Sequence, residues 1–512
     1  MEYVLSKKEL SVGETVFEGC IEQPIDLDFS LPDYCPDIQR ILKCRVYPKI
    51  YTRNISGDRL DIEGTAIVKI LYLDAIKKSV RSSEHSVPFT SSFNMKTTPQ
   101  NAVATSAVKP EYLNCRALSP RRLDIHGAFS ICATVISKCE KEFAEGIDGD
   151  DVQVKTTQIP VSALCGLGQQ QFTVEDSIVL GSSKPPIEAV LRTDMQPIVS
   201  DIKAITNKLM IKGDIGVKVL YMTDLDTGNT EVLEYTMPFS QILDVDGVTD
   251  SCACDVTAEI LTYEIHTGGD AQEKNQSIDV EVKMVATSVA YSEEEITVVS
   301  DAYSTMYDLD LVFNQTPVNS LASQPKETCI TKTTVEIGTE GITKVIDLWN
   351  EQCTATAMVE EGQLMAKGKV NVCVLAEDRE GTPFYTERIV DFTYPMGHCD
   401  IAQPVVQTAA AVSSISYRLN GTDNLDLRIE IKLSAPVFDS KVIRCVSQAT
   451  ANEEHLRQRD HQSALTLYYA GDGESLWSIA REYAVSCDAV MAENDLTDDT
   501  VLQGRMLLIP NI

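Results

Sequence analysis

No stretch of the chain approaches the ~18 consecutive apolar residues that a membrane-spanning helix needs. Ala409-Ala410-Ala411-Val412 is typical of the short apolar runs found instead. The first residues, Met1-Glu2-Tyr3-Val4-Leu5-Ser6-Lys7-Lys8, lack the basic n-region and the apolar h-region of a secretory signal, so residence in a cytosol is expected. Basic charge is scarce: 44 Lys and Arg stand against 76 Asp and Glu, a formal charge of −32. Phosphate backbones and anionic lipid repel such a chain, which argues against nucleic acid and direct membrane insertion. The 15 cysteines include no Cys-x-x-Cys pair, and their odd number excludes a complete internal disulfide framework. They are expected to be reduced thiols, many of them buried.

Catalytic signatures are missing as well. There is no His-Glu-x-x-His, no Gly-x-Ser-x-Gly and no phosphate loop, and Gly166-Leu167-Gly168 is expected to be a turn. Cys252-Ala253-Cys254 has no second pair to complete a metal site. Glu293-Glu294-Glu295 reads as a solvated loop, and His455 and His461 as surface residues. The expectation is a protein that is not an enzyme and uses no metal and no cofactor.

What the chain does contain is repetition. Apolar or small residues recur at every second position through Leu60, Ile62, Gly64, Ala66, Val68, Ile70 and Tyr72. The pattern returns through Leu209, Ile211, Gly213, Ile215, Val217, Val219 and Tyr221, and again from Leu364 to Ala376. Gly64, Gly213 and Gly368 share one phase, 149 and 155 residues apart. Such alternation marks half-buried strands. Leu123-Asp124-Ile125, Ile278-Asp279-Val280 and Leu425-Asp426-Leu427 open a second recurring strand. Between the two lie Val87-Pro88-Phe89, Met237-Pro238-Phe239 and, more loosely, Tyr394-Pro395-Met396, where proline ends a strand or marks an edge.

A period near 150 residues means whole domains in tandem, each a mostly antiparallel β-domain of two packed sheets or an open barrel. Asp224 to Asn229 and Glu377 to Gly381 read as hairpin turns, and Pro36 to Leu42 as a brief helix. The expected division is 1–170, 171–325 and 326–449 for the three β-domains, a charged linker at 450–464 and a small module at 465–512.

In that last module, Leu467 and Tyr469 alternate as a strand, and Ser475 and Ser486 can cap two short helices. Leu476, Ile479, Ala480 and Tyr483 fall on one helical stripe; Asn494 is a plausible stop for the second helix, and Leu507 and Ile509 form a closing strand ended by Pro510. So small a strand-helix-helix-strand core is marginal alone, with no disulfide to compensate. The run Tyr468-Tyr469-Ala470-Gly471-Asp472-Gly473-Glu474-Ser475-Leu476-Trp477-Ser478-Ile479-Ala480, closed by Gly504 to Pro510, resembles a LysM module.

Three tandem β-rich repeats followed by LysM resemble the SPOCS (DUF3794) proteins of spore-forming Firmicutes, and the arrangement looks like the SipL type of spore-coat morphogenetic protein. The fold class implied is mainly β: three antiparallel tandem domains and a βααβ LysM domain. The resemblance implies a mother-cell protein at the forespore surface that helps anchor the spore coat and binds a coat morphogenetic ATPase. LysM modules ordinarily bind N-acetylated glycan such as peptidoglycan. Carried across by motif, the groove residues are Gly473, Glu474, Ser475 and Leu476, then Asn494, Asp495, Leu496 and Thr497. Loop N–H and C=O groups there could pair with acetamido groups over an apolar floor. Leu476 and Ile479 read equally as core, and Trp477 as either packing or hydrogen bonding. Eight acidic and two basic residues between Leu465 and Ile512 suit a basic protein surface. Three functions stay open: a coat scaffold, a glycan-binding wall protein, and a hydrolase whose catalytic domain has no local signature.

Overall fold

The computed structural model describes residues 1–268, 276–338, 341–457, 463–471, 473–497 and 504–511. The first repeat is six antiparallel strands: β1 (Val4–Ser30), β2 (Ile38–Ser56), β3 (Arg59–Asp74), β4 (Val80–Asn94), β5 (Ala102–Ser119) and β6 (Arg122–Asp148). They form two sheets, β2-β3-β4 and β1-β6-β5, whose inner faces meet around Ile62, Val68, Ile125 and Phe129. The second repeat uses the same plan: β7 (Val152–Val179), β8 (Ala189–Ile205), β9 (Lys208–Met222), β10 (Thr230–Asp244), β11 (Ala253–Gly268) and β12 (Ser277–Ser304). Its sheets are β8-β9-β10 and β7-β12-β11.

In the third repeat the long strands are broken. It comprises β13 (Tyr307–Ser323), β14 (Lys326–Glu336), β15 (Lys344–Glu360), β16 (Gln363–Glu377), β17 (Pro383–His398), β18 (Pro404–Val406), β19 (Ala409–Asn420), β20 (Asn424–Ser434) and β21 (Val437–Leu456). The interruptions fall at Pro325 and Pro436, which lack the amide a ladder requires, and the Ala435 amide crosses to the Pro325 carbonyl at 3.1 Å. Sheets β15-β16-β17 and β14-β20-β19 reproduce the sandwich, while β13, β21 and β18 form a separate stem. The expected boundary at 170 falls inside β7 and that at 449 inside β21, which runs on to Leu456 through the start of the expected linker. The turns at 149–151 and 305–306 separate the three repeats.

The recurring glycine has a steric cause. A Cβ at Gly64, Gly213 or Gly368 would stand 2.2, 2.3 or 2.2 Å from the carbonyl oxygen of Lys49, Ile198 or Thr354. It would also meet the ring of Phe89, Phe239 or Phe392, which lies across the strand pair over the bare glycine. In the third repeat the register partner of Gly368 is therefore Phe392, and Asp391 replaces the proline; the Tyr394-Pro395-Met396 alignment is displaced. Pro88 and Pro238 sit on edge strands, where a missing amide costs no interior ladder bond.

Three local expectations are overturned. Residues 38–42 belong to β2, not a helix: bulges at Ile38/Arg40 and Ile41/Lys43 stretch the two-residue spacing toward a helical period. Glu293 to Glu295 are exposed but lie within β12, opposite Ser162, Val161 and Pro160. Gly166 and Gly168 lie within β7. Nor are all cysteines reduced, since Cys20 and Cys132, register partners on β1 and β6, form a disulfide. Both hairpin turns form as expected: Gly228 at φ 72° and Gly381 at φ 75° close them, with Asp224 and Asp378 accepting turn amides.

Two junctions join the repeats. At the first, the stems β1/β6, β7/β12 and β13/β21 bury Phe143, Val298 and Cys445 beside Ala144, Val299 and Val446. The amide of Tyr3 bonds to the Ala449 carbonyl at 3.0 Å and that of Ala451 to Met1 at 2.7 Å, bringing the first residues onto the last long strand. The second junction packs Leu71, Val80, Leu191, Leu220, Met222, Trp349 and Leu375 from all three repeats.

Candidate functional site

The C-terminal module folds as β22 (Leu465–Tyr469), α1 (Leu476–Glu482), α2 (Cys487–Glu493) and β23 (Met506–Pro510). Ser475 caps α1 and Ser486 caps α2, each accepting the amide three residues on. Such a cap stabilises by ~1 kcal/mol. Leu476, Ile479, Ala480, Val490, Leu507 and Ile509 are buried, and Tyr303 of the second repeat completes this core at 1% exposure.

The two loops expected to form a groove contain residues already engaged with the module itself. Glu474 accepts from the Tyr468 hydroxyl at 2.9 and 2.8 Å and from the Gly471 amide at 2.7 Å. The Gly471 bond, then that from Tyr468, hold its carboxyl below the ordinary range, and Tyr468 is pushed up to about 12, chiefly by its bond to Glu474. Ser475 is spent in a capping box with Ser478. Asn494 spans two elements: its Nδ2 donates to the carbonyls of Val490 at 2.8 Å and Leu508 at 2.6 Å, and its Oδ1 accepts the Leu508 amide at 2.7 Å. Leu476 is fully buried, and half-buried Leu496 packs against the same core. Gly473, at φ 79°, Asp495, at φ 47°, and Thr497 are exposed. Of the eight residues expected to line a groove, those three are exposed; Asp472 lies outside the described residues.

The outward side of α1 faces protein. The Trp477 Nε1–H and the Arg481 guanidinium both donate to Asp301 Oδ2 at 2.9 Å. The indole stands edge-on to Tyr303, ring centroids 4.8 Å apart, and the Tyr303 hydroxyl donates to the Val485 carbonyl at 2.7 Å. Arg457 reaches the Arg481 carbonyl at 2.6 Å while pairing with Asp308 at 3.0 Å. Asp301, Tyr303 and Arg457 escape sequence reasoning, because only the i, i+4 spacing of Trp477 and Arg481 hints at a shared polar contact.

A second cluster of titratable groups lies at the second junction. The same ladder position in each repeat, opposite Leu71, Leu220 or Leu375, carries Lys43, Arg192 or Asp347. Arg192 pairs with Asp347 at 2.9 Å, and Lys218 meets the other oxygen of Asp347 at 3.1 Å. Lys43 meets Glu351 at 2.6 Å and Glu387 at 3.2 Å, Arg45 also pairs with Glu351, and the Tyr47 hydroxyl donates to Glu351 at 2.7 Å. Burial, then the charge of Glu351, raise the Tyr47 phenol well above its usual value. Burial opposes ionisation of Glu387, but bonds from Tyr385 and Asn371 and the Lys43 charge outweigh it and lower its pKa to about 2. Perturbed groups in such density can mark catalysis. Here each carboxylate is committed to a cation on another repeat, so the cluster holds the repeats in register. Among the described residues no three His, Cys, Asp or Glu are placed to hold a metal ion, and no helix is long and apolar enough to cross a membrane.

Compared with known families, the SipL SPOCS domain matches twice, at residues 37–118 and 186–267, and the LysM domain matches at 470–510. Each SPOCS match covers β2 to β5 or β8 to β11. The third repeat lies outside the matched segments but has the same sandwich and the same glycine–phenylalanine pair. No curated protein and no solved structure matches the chain.

Proposed function

We propose that this chain, which carries SipL-type SPOCS domains and a LysM domain, is a non-catalytic scaffold of spore-coat assembly that holds a coat morphogenetic ATPase at the forespore surface. SPOCS and LysM domains are binding domains. The observation that carries the reading is the clamp at Asp301, where the LysM domain is fastened to the second repeat through Trp477 and Arg481. A module fixed in this way presents its loops and the neighbouring repeat as one surface, as a protein partner requires. Its eight acidic and two basic residues favour a basic patch on that partner.

The test is binding of the purified full chain to the purified coat ATPase. The expected outcome is saturable binding that weakens as salt rises and falls at least about tenfold when Asp495 and Thr497 are replaced by Lys. Binding unaffected by these changes and by salt would reject the reading.

A second reading, peptidoglycan or other N-acetylglucosamine polymer as ligand, rests on the LysM match and on exposed Gly473, Asp495 and Thr497. Co-sedimentation of the chain with purified peptidoglycan, abolished by Thr497→Lys, would favour it.

A further inference from the structure

The second repeat holds two cysteines brought together by main-chain geometry. Cys165 is the extra residue of a bulge in β7: Ala290 pairs with Gly166 and Tyr291 with Leu164, leaving Cys165 without a partner in the ladder. A bulge also stands at the equivalent place in β1, around Val16, so the bulge belongs to the repeat and the cysteine to this copy. Cys252 ends the 245–252 turn that joins β10 to β11.

That turn is seated closely on the bulge. Gly247, at φ 86°, has no room for a Cβ, which would lie 2.4 Å from the Cys165 carbonyl oxygen. A Cβ at Gly166 would likewise stand 2.6 Å from Val248 and 2.8 Å from Val245. The Gly-x-Gly of β7 thus admits the turn and delivers the two sulfurs to 2.9 Å. About 0.9 Å of further approach reaches the S–S bond length of ~2.04 Å.

The two thiols are chemically distinct. Cys252 Sγ accepts from the Thr249 amide at 3.3 Å and lies 3.4 Å from the Thr249 hydroxyl, while Cys165 Sγ lies 3.2 Å from the Ala290 carbonyl oxygen. Burial opposes ionisation of Cys252, yet the bonds from Cys165 and Thr249 outweigh it and lower its pKa. Cys165, by burial and then by its bond to Cys252, is pushed up to about 12. Cys165 also lines a cleft of about 460 Å³ between the first and second repeats, with Arg53, Lys138, Gln169 and Asp246 around it, wide enough for a small solute.

We propose that Cys165 and Cys252 are a reactive dithiol that closes to a second intrachain disulfide by exchange with a low-molecular-weight disulfide. The Cys252 thiolate attacks one sulfur of the small disulfide, forming a mixed disulfide and releasing one thiolate, which takes up a proton. Cys165 then gives up its proton to solvent, attacks Cys252 Sγ and expels the second thiolate. One small disulfide is reduced to two thiols, and the protein dithiol is oxidised to one disulfide. The bond would pin the 245–252 turn to β7, fixing one wall of the cleft.

The full chain, reduced and desalted under anaerobic conditions, is exposed to graded oxidised glutathione, quenched with N-ethylmaleimide and mapped by peptide mass spectrometry. The expected product at the lowest effective oxidant is a Cys165–Cys252 linked peptide, with the Cys20–Cys132 bond as internal reference. In the reduced chain, Cys252 is expected to alkylate about tenfold faster than Cys165. Cys165→Ser is expected to trap glutathione on Cys252, whereas Cys252→Ser leaves Cys165 free. If both cysteines carry N-ethylmaleimide after oxidation that links other thiols, the proposal is overturned, and because that readout uses the unsubstituted chain it does not depend on the variants folding.

Discussion

A single glycine per repeat governs how closely two strands and an aromatic ring approach. Gly213 shows the constraint best: the Ile198 carbonyl and the Phe239 ring together occupy the space any side chain would need. Gly213→Ala is predicted to destabilise the chain by ~1–3 kcal/mol, as overpacking does, read as a lower urea midpoint with an unchanged slope. The phase of these glycines was legible from period-two alternation, because a strand's faces repeat every second residue. The phenylalanine partner in the third repeat was not, since proline and aromatic separate there and only the register identifies Phe392. The Cys20–Cys132 bond was hidden for the same reason: two cysteines 112 residues apart become neighbours only once β1 and β6 are aligned. Which of the expected groove side chains are already bonded within the module was not legible. Whether Glu474 and Asn494 are available depends on Tyr468 and Leu508, which the fold brings back to them.

At the scale of elements, α1 has two occupied sides. One packs Leu476, Ile479 and Ala480 into the module, and the other carries Trp477 and Arg481 to Asp301. The capping serines and the apolar stripe made the helix readable from local spacing. Its second side was not readable, because the acceptor for Trp477 is 176 residues away. Asp301→Ala removes the acceptor of both donors. Hydrogen bonds to charged groups contribute ~1.5–3 kcal/mol, so amide exchange in α1 and α2 is predicted to quicken roughly tenfold to a hundredfold, with β3 and β9 unchanged. Unchanged exchange in the module would show that its own core suffices. The apparent helix at 36–42 is the reverse case, in which two bulges make a strand imitate a helical period.

Across the whole molecule, three sandwiches of one design are held together by side chains that break the design. Charges at one ladder position, Lys43, Arg192 and Asp347, differ among the repeats, so each repeat fits its neighbours and not a copy of itself. Glu351, at 2% side-chain exposure, lies between Lys43 and Arg45. Glu351→Gln takes the carboxylate from Arg45 and leaves Lys43 only Glu387 in a largely buried junction, and is predicted to cost ~3–5 kcal/mol, an effect that added salt should barely restore. A loss near 1 kcal/mol that vanishes in salt would place the pair in solvent instead. Tandem organisation was visible in the spacing of repeats; their mutual docking was not, because no periodicity encodes which repeat meets which.

The return of Met1 and Tyr3 to Ala449 and Ala451 also sets a timetable. A ribosome delivers the first strand hundreds of residues before its closing partner, so the apolar stem around Ala144 and Val299 must wait, part-covered, until β21 emerges. The LysM domain follows last, to find Asp301 and Tyr303 on β12, already paired with β7. A synthesis interrupted before Val437 would release a chain with an open seam of strand edges and alanine-lined core, the kind of intermediate that aggregates.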